Sequence, residues 1–127
     1  MALTTTLGCL LAGLLAAAII AIGARFLLAP RAAAAGYGVQ PDLQNPRTGA
    51  YLSAKGIRDI ASGGFLIILM AAGVTHLLGW FVLAATIIPL ADTAIVLRNG
   101  GPRSIAWGVH AGTAAAMLVT AALLLAS

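Results

Sequence analysis

The chain confines its charge to one end of each of four long apolar runs. Only 8 % of its 127 residues are charged, and all of them fall within residues 25–59 and 92–103. Soluble domains carry roughly 25 % charged residues, about three times as many. The pattern therefore predicts an integral membrane protein. The net charge of +4 comes from the ends of the runs and does not indicate nucleic-acid binding.

Four segments have the length that a membrane crossing needs. About 30 Å of hydrocarbon corresponds to about 20 helical residues at 1.5 Å each. We predict spans over residues 7–28, 51–74, 77–97 and 105–126. The second must begin before the charge-free stretch 60–75, because 16 residues are too few to cross. The predicted fold class is all-α: a polytopic membrane protein with one domain, residues 1–127, folded as an antiparallel bundle of four transmembrane helices.

The first apolar run is expected to be a membrane span and not a signal peptide. No Lys or Arg precedes it, and it is longer than the apolar core of about 7 to 15 residues in signal peptides. Pro30 is expected to end it, because proline cannot continue a helix. The connection that follows, residues 31–50, contains three glycines and two prolines, which argue against regular structure there.

The basic residues also predict the orientation of the bundle. Arg31 and Arg47 lie in the first connection, and Arg98 and Arg103 bound the third, whereas the second connection and both termini carry no Lys or Arg. In a four-span bundle the first and third connections lie on the same side. By the positive-inside rule this side is the cytoplasm, so we expect a multi-pass protein of the cell membrane with both termini outside.

Two carboxylates and a histidine lie inside the predicted spans at similar depth. Counted from the cytoplasmic end of each span, Asp92 and His110 lie roughly 5 to 10 Å deep and Asp59 roughly 12 Å. A charged side chain that faces lipid at mid-helix costs roughly 2.5 to 3.5 kcal/mol. We therefore expect these side chains, together with Arg25 at the same depth, to face one another inside the bundle. The two carboxylates and the imidazole are candidate acid–base residues that exchange protons near neutral pH.

Three cations accompany this layer. Arg25 lies at the same depth, Arg58 lies close to it, and Lys55 lies one helical turn below Asp59, from where it can extend toward water. They are candidate electrostatic clamps for an anionic group or for developing negative charge. The alternative is a buried salt-bridge network, with an arginine against the carboxylates, that fixes the register of the helices and needs no ligand.

The sequence gives no positive indication of a cofactor or a metal. It has no phosphate-binding glycine loop, no nucleophile elbow and no HExxH motif. His76 and His110 are predicted to lie a span's length apart, which disfavours a bis-histidine haem. A metal held by Asp59, Asp92 and His110 has suitable ligand types but no pair of ligands adjacent in the sequence. We predict neither a cofactor nor a metal.

Small residues suggest where helices approach closely. Gly108, Gly112 and Ala116 recur at four-residue spacing in the fourth predicted span, and Gly63 and Gly64 are adjacent in the second. Stripes of small residues allow two helix backbones to come close together in membranes. We expect these positions to lie at helix contacts.

Four short motifs give the chain a family resemblance. They are Arg25-Phe26 with Pro30, Lys55-Gly56-Ile57-Arg58-Asp59, Ile88-Pro89-Leu90 with Asp92, and Trp107-Gly108-Val109-His110. In their order and spacing they resemble a family of small four-span membrane proteins, bacterial and fungal, that is catalogued as a domain of unknown function. The resemblance covers nearly the whole chain. It implies the four-span architecture and supplies no activity.

A membrane-embedded site that opens to the cytoplasm is the leading functional hypothesis. Such a site binds a small lipophilic molecule or converts it by acid–base chemistry. A small proton-coupled transporter is the first alternative, built as a dimer because four helices enclose little volume, and an accessory or structural subunit is the second. The expected partners are the lipid bilayer and a lipophilic ligand, without nucleic acid. Enzymatic activity and homo-oligomerisation are left open.

Overall fold

A computed structural model describes residues 2–127, and within them all regular secondary structure is helical. The helices are α1 (Leu3–Leu28), α2 (Pro30–Tyr37), α3 (Thr48–Ala71), α4 (Thr75–Ala85), α5 (Ile87–Arg98), a π-helix (Ser104–Ala111) and α6 (Gly112–Leu125). Helices α4 and α5 follow one another as one long rod, and so do the π-helix and α6. The all-α prediction is confirmed.

Three rods are long and apolar enough to cross a membrane: Leu3–Leu28, Thr75–Arg98 and Ser104–Leu125. Helix α3 has a comparable length of 24 residues, but its N-terminal half carries three charged side chains. Length and composition therefore support three of the four predicted spans. Whether α3 is the fourth depends on how it packs.

The apolar core lies away from the charged residues. Helix α1 packs against α3 on one side and α6 on the other, α4 packs against α6, and α5 packs against the π-helix. The buried side chains of the main cluster are Ala12, Ala16, Leu66, Leu78, Val82, Ala121 and Leu124. Packing in this half holds the rods together, and the other half, where α1 and α5 end and α3 and the π-helix begin, carries the polar groups. We call this half the basic end.

Glycines bring α1 and α3 into close contact along their length. A Cβ atom added at Gly23 would lie 2.5 Å from the carbonyl oxygen of Gly56, and one added at Gly63 would lie 2.5 Å from the side chain of Ile20. Real Cβ atoms do not approach other atoms so closely, so the contact requires glycine. The expectation that Gly63 lies at a helix contact is confirmed.

The other small residues do not lie at such contacts. A Cβ atom at Gly64 or Gly108 would meet nothing within 4 Å, and one at Gly112 would touch only the backbone of Trp107, in the same rod. Gly108, Gly112 and Ala116 are all exposed. The expectation that these positions pack against a neighbouring helix of the chain is wrong.

Proline explains the break between α4 and α5. Pro89 has no N–H to donate to the carbonyl of Ala85, where α4 ends. Thr86 stands at the break, and its hydroxyl donates a hydrogen bond of 3.0 Å to the carbonyl oxygen of Val82. The third predicted span is therefore one rod with an interruption three residues before its proline.

The connection between α1 and α3 is partly helical, so the expectation of irregular structure throughout residues 31–50 is wrong. Pro30 ends α1 as predicted, but it then occupies the first turn of α2, where its fixed φ and missing N–H are favourable. The alanines of residues 32–35 continue that helix. Gly38 ends it with a φ of 100° and lies against Val96. Helix α2 thus docks against the bundle at the basic end.

Candidate functional site

A cavity of about 360 Å³ lies among the helices, and its lining extends to the basic end. Its walls are apolar side chains from every rod, namely Leu15, Ile19, Ile22, Leu66, Phe81, Val82, Ile88, Val109 and Met117. One part of its lining is polar and comes from α2, α3, α5 and the π-helix: Tyr37, Lys55, Asp59, Asp92 and His110. We call these five residues the polar floor.

Tyr37 joins two residues of the polar floor that come from different rods. Its hydroxyl donates a hydrogen bond of 2.7 Å to Oδ1 of Asp92. Its backbone carbonyl lies 2.8 Å from Nε2 of His110, and the two rings meet edge to face with centroids 4.8 Å apart. Tyr37, the last residue of α2, therefore links α5 to the π-helix at the basic end of the cavity.

These contacts determine where the proton of His110 lies. A carbonyl oxygen only accepts hydrogen bonds, so Nε2 of His110 must carry the hydrogen that it donates to Tyr37. In the neutral imidazole Nδ1 is then an unprotonated acceptor. Nδ1 lies 3.8 Å from Oδ2 of Asp92. A second proton on the ring would therefore lie on Nδ1 and would convert two facing acceptors into an ion pair.

Lys55 and Asp59 form the second polar pair of the cavity. Nζ of Lys55 lies 2.9 Å from Oδ2 of Asp59, one turn further along α3. The ammonium group also lies 4.7 Å from the centre of the Phe26 ring and 5.5 Å from that of Tyr37. Contact with the faces of aromatic rings stabilises a cation that has lost part of its water. Lys55 therefore contacts a carboxylate and two aromatic rings at the cavity wall.

The two arginines differ in position. Arg25 lines the cavity, although its side chain is largely exposed, whereas Arg58 is exposed and does not line it. The guanidinium of Arg58 donates to the carbonyl of Ala54 on its own helix. Neither arginine pairs with a carboxylate in the part of the chain that the structure describes. The expectation that Arg58 faces the layer is wrong, and the proposed arginine–carboxylate network does not form.

Five of the six residues singled out from the sequence line one cavity: Arg25, Lys55, Asp59, Asp92 and His110. The carboxylates do not share a metal-binding geometry with the histidine, because residues 2–127 contain no group of three or more His, Cys, Asp or Glu side chains placed to hold a metal. The cavity thus brings acid–base groups together without assembling the ligand set considered above.

The π-helix places His110 at the cavity. It covers Ser104–Ala111 and contains the whole Trp107–His110 motif, so the backbone turns more widely there than in an α-helix. Single-turn π segments are frequent at functional sites. His110 lies at the inner face of this segment and is buried, whereas Trp107 is exposed.

Tyr37 is the site residue that the sequence analysis missed. The signal was its position at the end of an alanine-rich segment that starts with proline and stops at glycine, which is typical of a short helix. Burial raises the pKa of its phenol well above the ordinary value of 10.0, and the hydrogen bond to Asp92 and the charges of Asp92 and Asp59 add to the effect. The phenol therefore stays a donor.

This raised pKa is measurable by titration. The chain contains two tyrosines, so in a Tyr51→Phe variant the tyrosinate absorbance reports Tyr37 alone. We expect it to appear only well above pH 10, and at lower pH once Asp92→Asn removes the neighbouring negative charge. A midpoint at about pH 10 in both chains, with the helical circular dichroism intact, would contradict the contact with Asp92.

Comparison with known proteins bears on the family and not on an activity. A family model described as "Domain of unknown function (DUF4267)" matches residues 16–124. The matched range contains the polar floor, Arg25 and the four motifs on which the resemblance rests. No curated protein and no solved structure matches the chain significantly. The match covers most of the chain, which therefore belongs to the DUF4267 family, a domain of unknown function.

Proposed function

We propose that this chain is a four-span membrane protein that binds a small lipophilic molecule inside its bundle, with the polar group of that molecule on the polar floor. The cavity is the observation that carries the proposal, because its walls are largely apolar and its charged groups lie at one end, while the hydroxyls of Ser62 and Thr113 donate to carbonyls four residues earlier in the chain. Pockets of this composition orient amphipathic ligands: the walls bind the apolar part and the few polar groups fix its direction.

The packing of α3 supports its role as the fourth span. At 24 residues it is about 36 Å long, enough to cross. Its contacts with α1 at Gly56 and at Gly63 are two turns apart, so the two helices run side by side. A helix in such contact with a spanning helix enters the membrane with it. The pairing of Lys55 with Asp59 lowers the cost of burying either charge.

The distribution of arginines supports an orientation with the basic end in the cytoplasm. Arg31, Arg47, Arg98 and Arg103 are exposed and lie at or beyond the helix ends there. The connection between α3 and α4 carries no basic residue. The positive-inside rule then places both termini on the outer side of the cell membrane. The exposed Arg58 lies about halfway along α3, and its guanidinium extends back to the carbonyl of Ala54, in the direction of the basic end.

The cavity's dimensions favour a small ligand. Its volume, about 360 Å³, is near the lower end of the roughly 300 to 1,000 Å³ found for ligand pockets. Leu15, Phe81 and Met117 line it away from the polar floor. These apolar side chains offer little to a hydrophilic solute that must pass through to the outer face, which favours binding over transport.

The ion pair of the polar floor does not fix the register of two helices. Lys55 and Asp59 lie on the same helix, so their ion pair cannot fix α3 against another rod. The side chains of Lys55 and Asp92 keep 34 % and 21 % of their accessible surface, whereas a sealed structural network excludes solvent and ligand. Open polar groups at the end of an apolar cavity support a binding role.

Filling the cavity tests the proposal. Ala85 lines it and Ala84, the neighbouring residue, is exposed on the outside of the same helix. We expect the wild-type chain and Ala84→Trp, purified from membranes, to retain a small lipophilic adduct in native mass spectrometry, and Ala85→Trp to lose at least about nine-tenths of it. Equal retention by the two variants contradicts the proposal, and so does a wild-type chain without adduct.

A further inference from the structure

Two hydrogen-bond acceptors of the polar floor face each other without a donor between them. Asp92 uses Oδ1 to accept from Tyr37, and His110 uses Nε2 to donate to the carbonyl of Tyr37. The remaining atoms, Oδ2 of Asp92 and Nδ1 of His110, lie 3.8 Å apart and have no other protein partner among the described residues. Both residues line the cavity. A ligand hydroxyl has one hydrogen, so it satisfies one of these atoms directly, and both once its proton lies on Nδ1 and faces Oδ2.

The charges along the cavity indicate that the ligand carrying this donor is uncharged. Arg25 and Lys55 balance Asp59 and Asp92, and the neutral form of His110 adds no charge. A charged ligand would leave an uncompensated charge against apolar walls, which is costly. An uncharged ligand keeps the balance, and among uncharged groups the hydroxyl is both a hydrogen-bond donor and a source of a proton.

Because Nδ1 is a weak base, the ligand hydroxyl that gives up its proton to it must be an acidic one. Histidine has an ordinary pKa of about 6.5 and a phenol one of about 10, so the transfer is unfavourable by about 3 to 4 pKa units unless nearby charges stabilise the two ions that form. An aliphatic alcohol is a far weaker acid and gives up its proton much less readily. In the neutral ring Nδ1 is the atom that lacks a proton, and the carboxylate of Asp92, 3.8 Å away, stabilises the ring once it is protonated.

We propose that the ligand is an uncharged lipophilic phenol or enol, and that Nδ1 of His110 accepts the proton of its hydroxyl. The inference rests on the proposed function, because it names the ligand class of the same cavity. In the step the O–H bond of the ligand breaks, an N–H bond forms at Nδ1, and the electron pair stays on the ligand oxygen. The imidazolium then pairs with Asp92, while Lys55 and Arg25 supply positive charge at the same cavity for the new oxyanion.

Two matched probes distinguish the contribution of the hydroxyl to binding from that of the ring system. 2-Naphthol is an uncharged aromatic alcohol whose fluorescence differs between the neutral and the deprotonated form, and 2-methoxynaphthalene has the same ring system without the donor. We expect 2-naphthol to bind the full chain in lipid nanodiscs saturably and about 10-fold or more tightly than 2-methoxynaphthalene, because the latter leaves the two acceptors without a donor. Empty nanodiscs give the partition background.

A conservative variant isolates the base. In His110→Gln the amide nitrogen occupies the place of Nε2 and keeps the hydrogen bond to the Tyr37 carbonyl, but nothing replaces Nδ1. We expect bound 2-naphthol, excited in the absorption band of naphtholate so that only molecules deprotonated in the ground state respond, to show naphtholate emission in the wild-type chain and none in His110→Gln. Asp92→Asn, which removes the charge that stabilises the imidazolium, is expected to reduce naphtholate emission as well.

The outcomes distinguish the two proposals. Equal affinity for the two probes overturns the hydroxyl assignment, and naphtholate emission that persists in His110→Gln overturns the base, although binding of a lipophile in the cavity stands in both cases. Absence of saturable binding for both probes overturns the proposed function and this inference with it. Ala85→Trp, which fills the cavity, must abolish saturable binding if the probes occupy it.

Discussion

Replacing Gly63 with alanine is expected to destabilise the bundle by about 1 to 3 kcal/mol, whereas the same change at Gly64 is expected to be neutral or stabilising by up to about 1 kcal/mol. A Cβ atom at Gly63 would lie 2.5 Å from the Ile20 side chain and 2.8 Å from the carbonyl oxygen of Ala16. The backbone oxygen cannot move without separating α1 from α3. A Cβ atom at Gly64 meets nothing within 4 Å.

The two substitutions are both glycine to alanine at adjacent positions of α3, so they change the composition and the helix propensity equally. Thermal unfolding in the same detergent, followed by helical circular dichroism, measures the difference. The midpoint is expected to fall for Gly63→Ala and to stay or rise for Gly64→Ala. Similar midpoints for both variants would contradict the close packing of α1 on α3, and with it the main structural support for α3 as the fourth span.

Helix α3 shows which features can be predicted from a sequence when the helices that pack against it are not known. Composition and length predicted that residues 55–59 belong to a helix and that Asp59 faces the interior, as observed. Neighbouring residues on a helix point about 100° apart, so a helix that turns Asp59 toward the cavity turns Arg58 away. Depth along the axis was predictable because it depends on counting residues. The direction around the axis was not, because it depends on which face α1 covers.

The missed residue has a different cause. Asp92 and His110 were predicted because each lies in a long apolar run, where exposing a polar or charged side chain to lipid costs free energy. Tyr37 lies outside the runs, and its role depends on the docking of an eight-residue helix whose formation competes with the glycines and proline around it. Such short segments are decided by tertiary contacts. The π-helix that carries His110 likewise has no pattern in the sequence that distinguishes it from an ordinary helical turn.

Removing the hydroxyl of Tyr37 is expected to loosen α2 without unfolding the bundle. Tyr37→Phe keeps the aromatic ring beside His110 and Lys55 but loses the hydrogen bond of 2.7 Å to Asp92. Hydrogen bonds to charged groups contribute about 1.5 to 3 kcal/mol, which corresponds to an increase of about 10- to 100-fold in the opening of the helix they hold. Amide hydrogen exchange in residues 31–37 measures that opening.

Tyr51→Phe is the matched control, because Tyr51 is 78 % exposed and makes no side-chain hydrogen bond among the described residues. Exchange in α2 is expected to be unchanged there, and exchange in α1 and α6 unchanged in both variants. Equal exchange of α2 in Tyr37→Phe and the wild-type chain would contradict the role of the hydroxyl as its anchor. Because α2 covers the basic end of the cavity, a looser α2 should also speed the entry and exit of 2-naphthol, so that its binding kinetics change more than its affinity.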